Sequence, residues 1–265
     1  MSRIARVVIP EVPHHITQRG NRRLQTFFCD EDYEAYIDLM SPWCTHLDIE
    51  VWAYCLMPNN AHLIAVPPSE KALSQAIGEA HRRYTRSVNF REGWRGHLWQ
   101  GRFASFPMDK TYLYLAARYV ELNPVRAKLV KKPQEYRWSS AHAHIARRDD
   151  RLVHVSPLLE MFGKWDDFLS RGMADEEVEE LRCHERTGRP LGTDSFIARL
   201  GNVLGRILHK QKPGTKGSQK KNRNLKIKYG VPRILPQVKD VVANNGFSGE
   251  SYRFCRRVTR ISLRL

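Results

Sequence analysis

Residues 49–66 read IEVWAYCLMPNNAHLIAV, two largely apolar runs separated by a Pro-Asn-Asn turn. The first run, 49–57, is rich in β-branched and aromatic residues and predicts a central strand. The second run, 60–66, predicts its hairpin partner, because only a short turn separates the two and Pro67-Pro68 then ends the pattern. The order of the other elements is worked out from this hairpin.

Strand and helix signals alternate on both sides of the hairpin. Residues 14–18 (HHITQ) predict an earlier strand, and the acidic run 30–32 predicts the start of a helix between the two. Three further elements are predicted after the hairpin: a helix over 69–88, a strand over 102–108 and a helix over 110–122. The order β-α-β-β-α-β-α predicts an α+β protein of the ferredoxin-like (split βαβ) type, a central antiparallel sheet with helices packed on it.

The chain of 265 residues is expected to contain three segments. Residues 1–148 hold the sheet and its helices. Residues 149–210 form a small helical extension, with helices near 174–186 and 193–205 that are either a helix-turn-helix or a packing extension. Residues 211–265 are interpreted as a basic linker and tail, partly disordered.

Positive charge is concentrated at the C-terminal end. Residues 206–265 carry 16 Lys and Arg against 2 Asp and Glu, net +14 of the total +16. The folded part is therefore close to neutral, and the high pI says little about it. The tail is either an arm that binds DNA or a solvated charge run.

Composition excludes several classes of protein. With 42% hydrophobic and 27% charged residues the chain is globular. It has no apolar run of about 18 residues for a membrane span, and its start lacks the apolar core of a secretory signal. The five cysteines are scattered without a CxxC pair, which suits a reducing compartment. We expect a cytoplasmic, nucleoid-associated protein with no membrane partner.

Two short spacings point to chemistry. Asn60 and His62 are two residues apart on a strand and share a face, like a pair of metal ligands. Tyr119 and Asn123 are four apart on a helix and also share a face. A tyrosine that attacks a phosphodiester needs a metal to polarise the phosphate. By spacing alone, a core histidine and a packing tyrosine are the more common interpretation.

Five motifs occur in order along the chain. They are PHHITQRGNRR (13–23), AYCLMPNNAHLIAVP (53–67), GHLWQGRF (96–103), RYVELNPVRAKLV (118–130) and WSSAHAH (138–144). Together they resemble the REP-associated tyrosine transposase group of the single-tyrosine HUH transposases. The resemblance covers about residues 5–148 and continues loosely to about 212.

The resemblance implies a ferredoxin-like domain that holds Mg²⁺ or Mn²⁺ and cleaves single-stranded or hairpin DNA, such as REP-like elements, through a 5′-phosphotyrosine. It implies no small-molecule cofactor. It places the nucleophile on Tyr119, the second metal-binding histidine on His62 and a third ligand on Asn123. The first histidine of the family's pair is replaced by Asn60, which offers an amide oxygen in place of an imidazole.

Candidate DNA contacts are basic or polar residues near the first strand, the aromatic Gly-rich stretch and the Asn-Pro turn. They are His15, Gln18, Arg19, Arg22, Arg23, His97, Arg102 and Arg126. For His15 and Gln18 the alternatives are contact with the groups around the metal site or an edge-strand polar pair. For the arginines of the turn after the first strand the alternative is a solvated basic loop, and for Arg126 it is a surface salt bridge. Trp99 and Phe103 are favoured as core residues.

Two functions are carried forward from the sequence. One is a metal-dependent DNA strand transferase. The other is a catalytically impaired protein that binds nucleic-acid hairpins and keeps the fold, because Asn60 replaces a metal ligand. An RNA-binding module is a poorer third, since Trp52 and Tyr54 on one strand face are more simply explained by sheet packing.

The charge distribution makes a prediction about the tail. Deleting residues 211–265 is expected to weaken binding to single-stranded DNA and to reduce its salt dependence, because each lost phosphate contact lowers the slope of log K against log salt by about 0.7. Fluorescence anisotropy at several salt concentrations measures both quantities. An unchanged slope would show that the tail takes no part in binding.

Overall fold

A four-stranded antiparallel sheet lies at the centre of the protein, with strand order β2-β3-β1-β4. The computed structural model describes residues 6–209, and the predicted linker and tail, 211–265, lie outside the described residues. The strands are β1 (His14–Arg19), β2 (Glu50–Met57), β3 (Asn60–Val66) and β4 (Ala104–Pro107). This order is that of a split βαβ fold, so the predicted fold class is confirmed.

Helices join and cover the strands. They are α1 (Asp30–His46), α2 (Ala72–Glu92), α3 (Lys110–Glu121), α4 (Asn123–Arg126), α5 (Ala141–Ala146), α6 (Ser156–Phe162), α7 (Trp165–Ser170), α8 (Asp175–Thr187) and α9 (Asp194–Leu204). The two helices predicted for the extension correspond to α8 and α9, and each begins and ends within about one residue of the expected position. α6 and α7 were not predicted, because elements so short carry too little periodicity.

β1 is a central strand, paired with β3 on one side and β4 on the other. Thr17 lies opposite His62 on β3, and His15 lies opposite Phe106 on β4. Residues opposite each other in antiparallel strands point to the same face of the sheet. His15, two residues from Thr17, therefore shares a face with His62.

The helical extension shares the core of the sheet domain. Trp165, Phe168 and Leu181 belong to the same buried cluster as Ile16 on β1. α8 packs against α3 and β4, and the chain after α8 bonds to the sheet, since the amide of Leu191 donates to the carbonyl of Pro107. Of the two interpretations of 149–210, this burial supports packing for α8.

Among the described residues, no helix has both the length and the apolar character that a membrane span requires.

A buried polar network fixes α3 against α5 and α7. The carboxylate of Glu121 is fully buried, with Ser140 Oγ and His144 Nδ1 each 2.6 Å from Oε1. Trp165 Nε1 donates to Oε2, also at 2.6 Å. Because buried polar groups without a partner are costly, these contacts hold the end of α3 in one position.

Glu121→Ala is expected to lower the free energy of unfolding by about 3 kcal/mol or more, because it leaves several buried donors without an acceptor. Chemical denaturation measures the change. Glu160→Ala, which removes an exposed glutamate of α6, is the control and is expected to stay within about 0.5 kcal/mol of wild type. A loss below about 1 kcal/mol for Glu121→Ala would show that the network contributes little.

Candidate active site

Two histidines meet in the middle of the sheet. His15 Nε2 of β1 lies 3.2 Å from His62 Nδ1 of β3, close enough for one ring to donate a hydrogen bond to the other. The rings stack with their centroids 5.4 Å apart. Both side chains are almost completely buried, at 0% and 3% exposure. His15 and His62 therefore form an imidazole pair on neighbouring strands, although they lie far apart in the sequence.

A carboxylate from α8 points at this pair. Glu185 Oε1 is 3.6 Å from His62 Nδ1 and 4.0 Å from His15 Nε2. Its side chain is 9% exposed, and Oε1 is buried with no hydrogen-bond partner. Among the described residues, these three side chains form a group that can hold a metal ion.

Tyr119 of α3 lies over the histidines. Its ring centroid is 5.8 Å from that of His15 and 5.6 Å from that of His62, both edge-on. The residue is 4% exposed. The guanidinium of Arg126 on α4 lies 4.6 Å from the ring centroid. Asn123 begins α4, one helical turn after the tyrosine. The predicted association of the helix tyrosine with His62 is therefore found in the structure.

Burial controls the electrostatics of this site. It lowers the pKa of His15 to about 3 and holds the pKa of His62 well below its usual range, where neighbouring positive charges add to the effect. Burial also raises the pKa of Glu185 to about 7, against the opposing influence of Arg19. The pKa of the Tyr119 phenol is raised, first by burial and then by Glu185. Both imidazoles are therefore neutral near pH 7, the form that donates a lone pair to a metal.

The residues present fit a divalent metal ion. Glu185 Oε1 is a buried acceptor without a hydrogen-bond partner, next to two imidazole nitrogens, in a carboxyl group that also has a hydrogen bond with the Tyr119 side chain. Asn60 also has a buried Oδ1 without a partner, while its Nδ2 donates to Asn59 Oδ1 at 2.7 Å. Asn60 lies two residues from His62 on β3 and shares its face, as the sequence predicted.

Two loops form an exposed basic surface beyond the end of β1. The amide of Asn21 donates to the carbonyl of Leu98, and the amide of Gln100 donates to the carbonyl of Arg19, so the two loops lie side by side. The two loops are 20–29, after β1, and 93–103, after α2. The predicted DNA contacts here are exposed: Arg19 at the end of β1, Arg22 and Arg23 on the first loop, and His97 and Arg102 on the second. Arg22 and Arg23 adopt left-handed backbone conformations, with φ of 55° and 64°.

Other predicted contacts lie in the interior. Gln18 is 3% exposed, and its Nε2 donates to the carbonyl of Gly101, which braces the second loop. His15 is buried beside His62 and away from the surface. Trp99 and Phe103 are buried, as favoured from the sequence. The structure thus gives Gln18 and His15 internal contacts in place of an exposed position.

Glu185 is a site residue that sequence reasoning missed. It lies far along the chain from the other site residues, on a helix that the sequence predicted to be either part of a helix-turn-helix or a packing extension. One feature of the sequence could have drawn attention to Glu185: it directly precedes RTGRPLGTDSF (186–196), where the motif resemblance continues loosely.

Residues 9–123 match the sequence model of the family described as "Transposase IS200 like". This segment includes β1 through the end of α3, and so contains His15, His62 and Tyr119 but not Glu185. The match agrees with the transposase resemblance predicted from the sequence, over a segment that is less than half of the chain.

Two solved structures are similar to parts of the chain. One is a REP-associated tyrosine transposase bound to a REP hairpin, with TM-score 0.49 and 22% identity over 56% of this chain and 87% of that chain. The other is a transposase-like protein from Deinococcus radiodurans R1, with TM-score 0.33 and 18% identity over 45% of this chain and 96% of that chain. The comparison with curated proteins gives no match.

The basic surface yields a prediction. Changing Arg22 and Arg23 together to alanine is expected to weaken binding of single-stranded DNA and to reduce the salt slope by about 1.4, at about 0.7 for each phosphate contact. The matched control is Arg147→Ala with Arg148→Ala, an exposed pair after α5 that removes the same charge. Anisotropy titrations measure both variants. Equal losses of DNA affinity and salt slope in the two double variants would mean that binding depends only on net charge.

Proposed function

We propose, on the premise that residues 9–123 match the IS200-like transposase family, that this protein is a metal-dependent DNA strand transferase. It cleaves and rejoins hairpin-forming single-stranded DNA through a phosphotyrosine. The observation that supports this most is the position of Tyr119, edge-on to both His15 and His62. A phenol beside a group of side chains that can hold a metal ion is suited to metal-assisted attack on a phosphodiester.

In the proposed cleavage, Tyr119 Oη bonds to the phosphorus of the scissile phosphodiester while the bond from phosphorus to the 3′ oxygen breaks. The 5′ phosphate stays on the tyrosine, and the 3′ oxygen leaves with the proton that the phenol gives up. Rejoining reverses the step, with a 3′-OH as the nucleophile. One phosphate ester replaces another, so the reaction needs no further co-reactant.

A divalent ion, Mg²⁺ or Mn²⁺, supplies polarisation of the scissile phosphate when it is bound. His62 is the ligand on which the family resemblance and the three-residue cluster agree. The resemblance adds Asn60 and Asn123 as oxygen donors, and the buried, unpartnered Oδ1 of Asn60 supports the first of these.

Positive side chains around Tyr119 suit a phosphate. Arg126 lies over its ring, and Arg182 on α8 lowers the pKa of the phenol against the effect of burial. Arg126 NH1 is buried without a hydrogen-bond partner, so this donor is available to an oxygen of the substrate. Fixed donors of this kind stabilise the charge that develops on phosphate oxygens during transfer.

The proposed substrate is a single-stranded segment next to a hairpin, of the REP-like kind. The exposed arginines of the two loops would hold its backbone. Trp94, 49% exposed on the second of these loops, offers a ring on which a base can stack.

The second candidate is a hairpin-binding protein without cleavage activity. It is favoured by Asn60 itself, which occupies the place of an imidazole and whose amide nitrogen is engaged with Asn59. In that case the basic surface still binds the DNA hairpin, but the metal site no longer supports cleavage.

Tyr119→Phe is expected to abolish the covalent protein–DNA adduct while changing DNA affinity less than about twofold, because the ring volume is kept and only the nucleophilic oxygen is lost. The assay uses a hairpin oligonucleotide labelled at its 3′ end, incubated with Mn²⁺ and resolved on a denaturing gel. This label remains on the strand whose 5′ phosphate joins the protein.

Tyr112→Phe is the matched control, since Tyr112 lies on the same helix and is partly buried. It is expected to form the adduct at the wild-type level. An adduct that persists in Tyr119→Phe would refute the assignment of the nucleophile. Normal DNA binding without any adduct in the wild-type protein would support the hairpin-binding function.

A further inference from the structure

We propose that His15 and Glu185 complete the metal site around His62, so that a His-His-Glu set takes the place of the histidine pair interrupted by Asn60. The use of this ion in DNA cleavage rests on the proposed function, whereas its binding does not. Glu185 comes from the helical extension, outside the family-matching segment 9–123.

The distances between the donor atoms suit one ion. Two atoms each about 2.1 Å from a metal lie about 3.0 Å apart at a right angle and about 3.4 Å apart at the tetrahedral angle. The separation of His15 Nε2 from His62 Nδ1 is 3.2 Å, and Glu185 Oε1 lies 3.6 and 4.0 Å from the two nitrogens. All three separations are below about 4.2 Å, the largest that two atoms bound to one ion at 2.1 Å can have.

The unbonded carboxylate oxygen is the second observation. A buried acceptor without a partner destabilises the folded protein, and more so when it carries charge. Glu185 Oε1 is such an atom, and the groups nearest to it in the cluster are imidazole nitrogens. A cation between the three side chains would satisfy this oxygen and both nitrogens at once.

The fold holds Glu185 in place. Val178 and Leu181 bury the inner face of α8, and His184 Nδ1 lies 2.9 Å from the carbonyl of Arg189 just beyond the helix. α8 ends at Thr187 and is followed by Gly188, which has a left-handed φ of 70°. Leu191 then forms a bridge with Met108 at the end of β4. The carboxylate therefore belongs to a segment anchored on both sides.

The donor types predict the preferred ion. Two imidazole nitrogens and one carboxylate suit Mn²⁺ and other first-row transition ions, whereas Mg²⁺ prefers an oxygen shell with several waters. The carboxylate also supplies a negative charge that an asparagine at residue 60 does not. The site is therefore expected to bind Mn²⁺ at least tenfold more tightly than Mg²⁺.

The test is a Mn²⁺ titration of the full chain, followed by electron paramagnetic resonance, in which only free Mn²⁺ gives the sharp signal. Glu185→Gln keeps the size of the side chain and is expected to weaken binding about tenfold or more. Glu179→Gln is the matched control on the same helix, because Glu179 is exposed and pairs with Arg186. It is expected to bind Mn²⁺ as the wild type does.

His15→Gln provides a second variant, expected to weaken binding by a similar factor, and thermal unfolding checks that each variant is folded. Wild-type affinity in both Glu185→Gln and His15→Gln would overturn the proposal. So would a wild-type protein that binds no Mn²⁺, or a loss of binding seen in Asn60→Ala alone. Mn²⁺ binding through Glu185 in a protein that forms no DNA adduct would refute the proposed function and leave this inference standing.

Discussion

The pairing of β1 with β3 is the constraint on which the site depends. Thr17 lies opposite His62, which puts His15 on the same face and within 3.2 Å of the second imidazole. Side chains alternate along a strand, so a shift of one residue in this register would turn His15 to the other face. β1 is held between β3 and β4, which fixes that register from both sides. The imidazole pair is thus a consequence of sheet topology.

Two helices bring the remaining groups to this face, each fixed by buried polar contacts. The carboxylate of Glu121 ties the end of α3 to α5 and α7, two residues from Tyr119. Arg118 NH1, also on α3, donates to the carbonyl of Gly172, just before α8. The helix with the phenol and the helix with Glu185 are therefore linked to each other. Burial keeps the histidines neutral and the phenol protonated.

Local patterns predicted most of the fold and part of the site. The extent of the hairpin 49–66 was predicted closely, because its two apolar runs and its turn are encoded in adjacent residues. The expectation that 49–57 is a central strand was wrong, since β2 lies at the edge of the sheet, and an apolar run does not show how many neighbours a strand has. Tyr119 and His62 were found through short spacings and a motif resemblance. Glu185 was not, because its contacts with the sheet depend on how a distant helix packs, and no local pattern marks a single buried glutamate. Gln18 was a candidate for contact with DNA or with the groups around the metal site; sequence alone does not show that its amide donates to the carbonyl of Gly101, far along the chain.

The central claim is that one ion site, beside Tyr119, is built from the two strand histidines and the α8 carboxylate. Anomalous X-ray diffraction from crystals soaked in Mn²⁺ tests it most directly. The account predicts a single strong peak about 2.2 Å from His15 Nε2, His62 Nδ1 and Glu185 Oε1. A peak bound by His62 with Asn60 and Asn123, leaving Glu185 outside the coordination shell, would contradict it.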